Sequence, residues 1–190
     1  MQELKDKIIK DGKAIGTDIL KVDSFLNHQI DVKLVAHMGD EFKKRLYTEE
    51  VNKILTVEAS GIAIAFAAAR AMGDLPVVFA KKAAPKTMIS GAYTAEIVSF
   101  TKGTQTLIRV AKEFLKPEDR VLIIDDFLAS GEAALGLLNI VNQAGAKCLG
   151  IGAAIEKEYQ GGSAKLRAMG YNVESLAVIT SIKDGKIQFR

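Results

Sequence analysis

A chain of 190 residues, 48% hydrophobic and 26% charged, has the balance of a water-soluble globular protein with material for one sizeable core. Its net charge of +3, spread without any run of like charges, is too small to argue for nucleic acid by itself, and no apolar stretch approaches the roughly 20 residues that cross a bilayer. The single cysteine, Cys148, excludes a framework of intrachain disulfides and lies in an apolar segment that predicts a packed side chain.

In chain order, the opening M-Q-E-L-K-D-K-I-I-K has no signal-peptide core, so the cytoplasm is the expected compartment. Residues 3–10 predict a helix. Residues 18–31, D-I-L-K-V-D-S-F-L-N-H-Q-I-D, follow with no clean period. K-I-L-T-V-E (53–58) is the first of four short apolar runs; the others are P-V-V-F-A (76–80), V-L-I-I-D (121–125) and L-G-I-G-A-A-I (149–155). Such runs suit parallel strands buried on both faces. Helical patterns alternate with them. Residues 60–72 are rich in alanine, a strong helix former. In 131–144, Ala134, Leu137, Leu138 and Val141 fall on one helical face, and Gly145 suits the position after the helix end. Residues 162–169 predict a short helix stopped by Gly170. The alternation predicts an α/β fold: a largely parallel central sheet flanked by helices, in one domain spanning residues 1–190.

Residues 81–106 break this rhythm. They are rich in Lys, Thr, Ser and Gly and separate two core strands. A long, weakly apolar insertion of this kind predicts a functional lid or arm, and weak alternation in 93–98 and 105–110 suits the two strands of a hairpin.

The stretch V-L-I-I-D-D-F-L-A-S-G-E-A (121–133) carries the clearest chemistry. Ligands of parallel sheets bind beyond the carboxyl ends of the strands. Asp125 and Asp126 are expected at such an end, and the turn Ala129, Ser130, Gly131, Glu132, Ala133 opens a helix. Unpaired N–H groups and the positive dipole end of that helix favour a phosphate. Ser130 is the expected N-cap, and Gly131 admits a ligand close to the backbone. Carboxylates for hydroxyls and an anion cradle suit a sugar phosphate; the carboxylates also suit Mg²⁺. Glu132 sets a negative charge beside the cradle. V-E-A-S-G-I-A (57–63) repeats the strand, turn and helix arrangement with Ala59, Ser60 and Gly61, and a plain structural turn accounts for it as well. F-A-K-K (79–82) sets Lys81 and Lys82 at a neighbouring strand end. His28 and His37 share no pattern with other ligating residues, and no metal site made by the protein alone is expected.

The 121–133 stretch closely resembles the phosphoribosyl pyrophosphate signature of the type I phosphoribosyltransferases. L-K-V-D-S-F-L-N-H-Q-I-D near residue 20, V-E-A-S-G-I-A, V-F-A-K-K, S-F-T-K (99–102) and I-E-K (155–157) extend the likeness over most of the chain and resemble the bacterial xanthine phosphoribosyltransferases within that family. One position departs: Ile64 stands where the family's turn commonly has proline, just inside the helix, where proline favours initiation without being required.

The resemblance implies a sheet covered by a flexible lid or arm (81–106) and by a small hood from residues 1–31 and the C-terminal segment. It implies transfer of a 5-phosphoribosyl group from phosphoribosyl pyrophosphate to N9 of xanthine, with Mg²⁺ carried mainly by the donor's oxygens. Asp125 and Asp126 would hold the ribose hydroxyls. Ala129 to Ala133 would cradle the 5-phosphate, and Ala59, Ser60, Gly61 and Lys81 would face the pyrophosphate. Leu20, Asn27, Phe127 and Lys157 would hold xanthine. Ser99, Phe100, Thr101 and Lys102 would close the lid. A homodimer is the family expectation, with no nucleic-acid or membrane partner. Transfer to guanine, hypoxanthine or adenine is the nearest alternative. A donor-sensing transcription regulator is the more distant one, and this chain has little room for its DNA-binding domain.

Overall fold

The computed structural model describes residues 1–83, 91–99 and 104–190. The apolar runs form strands β3 (Lys53–Val57), β4 (Val77–Ala80), β7 (Arg120–Leu128) and β8 (Lys147–Lys157). With β9 (Val173–Lys183) and β10 (Lys186–Phe189) they make a six-stranded sheet in the order β10-β9-β8-β7-β3-β4. All neighbours are parallel except β10, which turns back on β9.

Both faces of the sheet are covered. Helices α1 (Gln2–Asp11), α2 (Val32–Leu46) and α3 (Gly61–Ala71) pack on one face, with Leu122 and Ile124 of β7 in their core. Helix α4 (Glu132–Gln143), helix α5 (Gly162–Ala168) and the antiparallel hairpin of β5 (Ala92–Ser99) with β6 (Thr104–Ala111) cover the other, with Val121 and Ile123 in theirs. Successive β7 side chains therefore serve opposite cores, which is why the run is apolar without alternation. The hairpin stands where 93–98 and 105–110 predict arm strands. Gln143 of α4 holds it by donating to the Thr94 carbonyl at 2.7 Å and accepting from the Thr94 N–H at 3.3 Å.

Elements absent from the sequence reading complete the fold. Helix α2 buries Leu34, Val35, Met38, Phe42 and Leu46, a stripe at helical spacing, and the Asp31 carboxylate caps it by accepting from the Leu34 N–H at 3.2 Å. Strands β9 and β10 extend the sheet beyond β8. The segment without a clean period forms β1 (Lys13–Ile15), β2 (Ile19–Lys21) and a π-helical turn, Asp23–Asn27. Three different local geometries in so few residues leave no period to detect. His37 bonds Glu3 at 2.8 Å and ties α2 to α1. Cys148 is partly buried, and burial pushes its thiol up to about 11.

Candidate active site

Strand β7 runs past the two aspartates. Its pairing with β3 ends at Ile123, whereas its pairing with β8 continues to Leu128. Asp125 and Asp126 thus lie where β7 outlasts one neighbour, rather than at the strand end itself. The side-chain alternation reverses there: Phe127 packs with the α2 and α3 core and Leu128 with the α4 core. Each aspartate takes a backbone amide across this slip. The Asp126 N–H donates to Asp125 Oδ1 at 3.0 Å, and the Phe127 N–H to Asp126 Oδ1 at 2.9 Å.

Asp125 is buried. Loss of solvent, reinforced by the neighbouring Asp126 carboxylate, raises its pKa well above the ordinary aspartate value, and the positive charge of Lys82 opposes the shift. The start of α3 closes on the same spot. A Cβ on Gly61 would stand 2.1 Å from Thr56 Oγ1 and 2.7 Å from Asp125 Oδ1. Only a residue without a side chain lets the second turn approach the buried carboxyl so closely. Thr56 is fully buried, and its hydroxyl has no hydrogen-bond partner among the described residues.

The turn after β7 differs in detail from its expected form. Gly131, not Ser130, is the N-cap of α4; its φ of 87° is one that glycine tolerates, and no side chain caps the helix. The N–H groups at the helix start remain available for an anion. A cavity of about 200 Å³ opens over them, lined by residues of the turn together with Ile97, Val98 and Gln160. Ser60 does occupy the N-cap of α3, but its side chain makes no capping bond. The peptide between Glu58 and Ala59 is cis. Glu58 accepts from the Lys82 N–H and its own N–H donates to the Ala80 carbonyl, which locks this turn onto the end of β4. Lys81 forms a bridge with Arg109 of the hairpin, and its ammonium lies 5.8 Å from the centre of the Phe79 ring.

Lys157 lies beside Phe127, the residue after the two aspartates. Leu20 is buried in the same core against which Phe127 packs, and Lys157 Nζ lies 5.6 Å from the Phe127 ring centre. Lys157 donates to the Asp18 carbonyl, and the Tyr159 hydroxyl reaches the Thr17 carbonyl at 3.3 Å. The tip between β1 and β2 is thereby held over the end of β8. Partial burial lowers the Lys157 pKa, against the pull of the Asp18 carboxylate. Neither adjacent glutamate pairs with Lys157: Glu156 bonds Ser163, and Glu158 pairs with Arg190. Asn27 ends the π-helical turn, exposed, with no side-chain hydrogen bond among the described residues. Phe100, Thr101 and Lys102 lie outside the described residues, as does the side chain of Ser99.

Sequence reasoning passed over Thr56, Tyr159 and the contacts of Asp18. Thr56 reads as one polar residue in a strand, and nothing local announces that its hydroxyl faces the second turn. Tyr159 and Asp18 act across 142 and 139 residues of chain respectively, a separation that no local pattern carries.

Comparison with known proteins places these features in a family. A model described as the phosphoribosyl transferase domain matches residues 21–179. A xanthine phosphoribosyltransferase of Ruminiclostridium cellulolyticum is 54% identical, over 100% of this chain and 99% of the relative. Proteins of the same name from Clostridium novyi and Clostridioides difficile are 50% and 47% identical, each over 100% of both chains. Among solved structures, an adenine phosphoribosyltransferase of Trypanosoma brucei superposes with a TM-score of 0.76 at 18% identity, over 92% of this chain and 78% of that one. The Giardia lamblia adenine enzyme gives 0.74 at 20%, over 92% and 96%. At such identities the two structures speak for the fold.

Proposed function

The chain belongs to the phosphoribosyl transferase domain family, and from that premise we propose that it transfers the 5-phosphoribosyl group of phosphoribosyl pyrophosphate to N9 of xanthine. The products are xanthosine 5'-monophosphate and pyrophosphate, which makes the reaction a step of purine salvage. One observation carries the reading: Lys157 stands over Phe127, one strand from the two aspartates, in a chain about half identical to xanthine enzymes.

The 5-phosphate binds the N–H groups of Ala129 to Ala133, and the ribose hydroxyls meet Asp125 and Asp126 a few residues back along the same strand. Ala59, Ser60 and Gly61, with Lys81, receive the pyrophosphate. The bond from ribose C1 to the pyrophosphate oxygen breaks, the oxygen keeps its electron pair, the bond to N9 forms and the N9 proton is released. Positive charge grows on the ribose ring as negative charge grows on the leaving group. Fixed carboxylates and amides stabilise both better than a mobile solvent. Residues 81–106 act as the lid that keeps competing water from C1.

Leu20 and Phe127 hold the apolar faces of the base. Asn27 offers both donor and acceptor to the 2-oxo edge, and Lys157 donates to the 6-oxo group and rejects a 6-amino group. Residues 1–31 with the C-terminal segment serve as the hood. Among the described residues no three metal-binding side chains converge. Asp125 and Asp126 would hold a Mg²⁺, which would supply positive charge to offset that of the departing pyrophosphate.

We place the protein in the cytoplasm as a homodimer, and among the described residues no helix is long and apolar enough to cross a membrane. The face formed by α2 and α3 supports pairing. It carries an apolar groove of about 690 Å³, with Val32 75% and Phe66 66% exposed, a surface suited to a second copy of the chain. Phe66→Asp should convert a sedimenting dimer to a monomer; an unchanged sedimentation coefficient would reject this face. The activity is tested by pyrophosphate release from phosphoribosyl pyrophosphate and Mg²⁺ with xanthine, guanine, hypoxanthine or adenine. Xanthine should give the highest kcat/KM, and a preference for adenine would overturn the role of Lys157.

A further inference from the structure

Behind the phosphate-binding turn lies a contact that the reaction chemistry does not use. The N–H of Gly162, the first residue of α5, donates to the Ala129 carbonyl at 3.0 Å. The approach leaves no room for a side chain. A Cβ on Gly162 would stand 2.3 Å from the Ala129 oxygen and 2.6 Å from the Gly131 nitrogen. From the other direction, a Cβ on Gly131 would meet the Gly162 Cα at 3.3 Å. The backbones of the turn and of α5 are therefore pressed together at the two residues that frame the cradle.

A buried polar pair holds α5 in this place. Ser163, next to Gly162, donates its hydroxyl to Glu156 Oε1; both residues are buried. Glu156 pairs with Leu128 on β7, the residue just before the turn, and its second oxygen, Oε2, is buried without a partner among the described residues. A carboxylate buried beside a strand end with only one of its oxygens bonded is a costly placement. Here that placement ties α5 to the strand pair from which the turn springs. Lys165 of α5 also faces Glu132 of the turn at 3.6 Å, a weaker, solvent-screened link.

We propose that Gly162, Ser163 and Glu156 are positioning residues for the phosphoribosyl donor. They form a brace that fixes the Ala129–Ala133 turn while the same end of β8 carries Lys157 to the base. The assignment rests on the proposed transferase activity. Ordinary van der Waals contact begins near 3.4 Å, so an added Cβ at 2.3 Å displaces the turn by about 1 Å, enough for a loss of about 10²-fold in reactivity.

The test uses the full chain in steady-state kinetics, with ribose 5-phosphate binding by calorimetry as a readout independent of turnover. Gly162→Ala should lower kcat/KM for phosphoribosyl pyrophosphate by about 10²-fold and leave the KM for xanthine at saturating donor unchanged. Ser163→Ala removes one hydroxyl without adding bulk and should raise the donor KM about tenfold. Glu156→Gln keeps an acceptor for Ser163 but buries an unpaired amide N–H in place of Oε2, and should raise the donor KM less than Ser163→Ala does. Should Gly162→Ala fail to fold, Ser163→Ala decides. A donor KM unmoved in Ser163→Ala, or both KM values rising together, refutes the brace. Wild-type protein that turns over no purine base refutes the transferase reading instead, and weaker ribose 5-phosphate binding in Ser163→Ala would still uphold the brace.

Discussion

Gly61→Ala is the most informative single substitution at the site. The new methyl would lie 2.1 Å from Thr56 Oγ1 and 2.7 Å from Asp125 Oδ1. Against an ordinary contact of about 3.4 Å, the two atoms must yield by about 1.3 Å and 0.7 Å. Neither can move freely, since Thr56 is fully buried and Asp125 holds the Asp126 amide. Overpacking of this size typically costs about 1–3 kcal/mol, which in a chain of this length lowers Tm by roughly 2–12 °C. If Asp125 holds the ribose as proposed, displacing its carboxyl by about 0.7 Å should lower kcat/KM for the donor by roughly 10-fold to 10²-fold. Thermal unfolding and steady-state kinetics read the two effects separately. Thr56→Ala in the same chain removes the nearer clash and should recover much of the Tm, while Asp125 stays displaced and activity stays low. A Gly61→Ala protein with wild-type kcat/KM would show that Asp125 does not need its observed position.

Asp125→Asn should abolish most activity and raise stability near neutral pH. The folded-state pKa of Asp125 is raised, so the folded protein binds the proton more tightly than the unfolded chain. Its contribution to stability is fully present below the ordinary value of 3.8 and is lost as pH climbs through the raised value. The variant lacks this loss, so its Tm should pull ahead of wild type as pH rises; parallel Tm curves would refute the shift. Lys157→Met keeps the apolar stem and removes the cation. It should raise the KM for xanthine about tenfold with little change for the donor, and an equal rise for both substrates would remove Lys157 from base recognition. With its thiol near 11, Cys148 is about one part in a thousand thiolate at pH 8. It should resist a disulfide reagent in the native protein and react on unfolding; rapid native labelling would contradict its burial.

Much of the architecture was legible because its signals are local. Four apolar runs between helical patterns announce a parallel sheet, and each run forms a strand of it. Asp125, Asp126 and the turn 129–133 share a single uninterrupted segment, so spacing along the chain stands for distance in space. Helix α2 carries an equally local stripe, from Leu34 through Met38 to Leu46, and its absence from the sequence reading reflects the irregular residues before it rather than a missing signal.

What the chain alone determined was the set of chemical groups at the site: a carboxylate pair, two glycine turns and lysines at neighbouring strand ends. Only the tertiary structure decided how they are held. It buries Asp125 beneath Gly61 and Thr56, gives the cap of α4 to Gly131 rather than Ser130, and turns Lys157 away from its neighbouring glutamates toward the Asp18 carbonyl. It also presses Gly162 against the turn 129–133. These outcomes join residues far apart in sequence, and they follow from close packing in three dimensions, which residue order constrains but does not display.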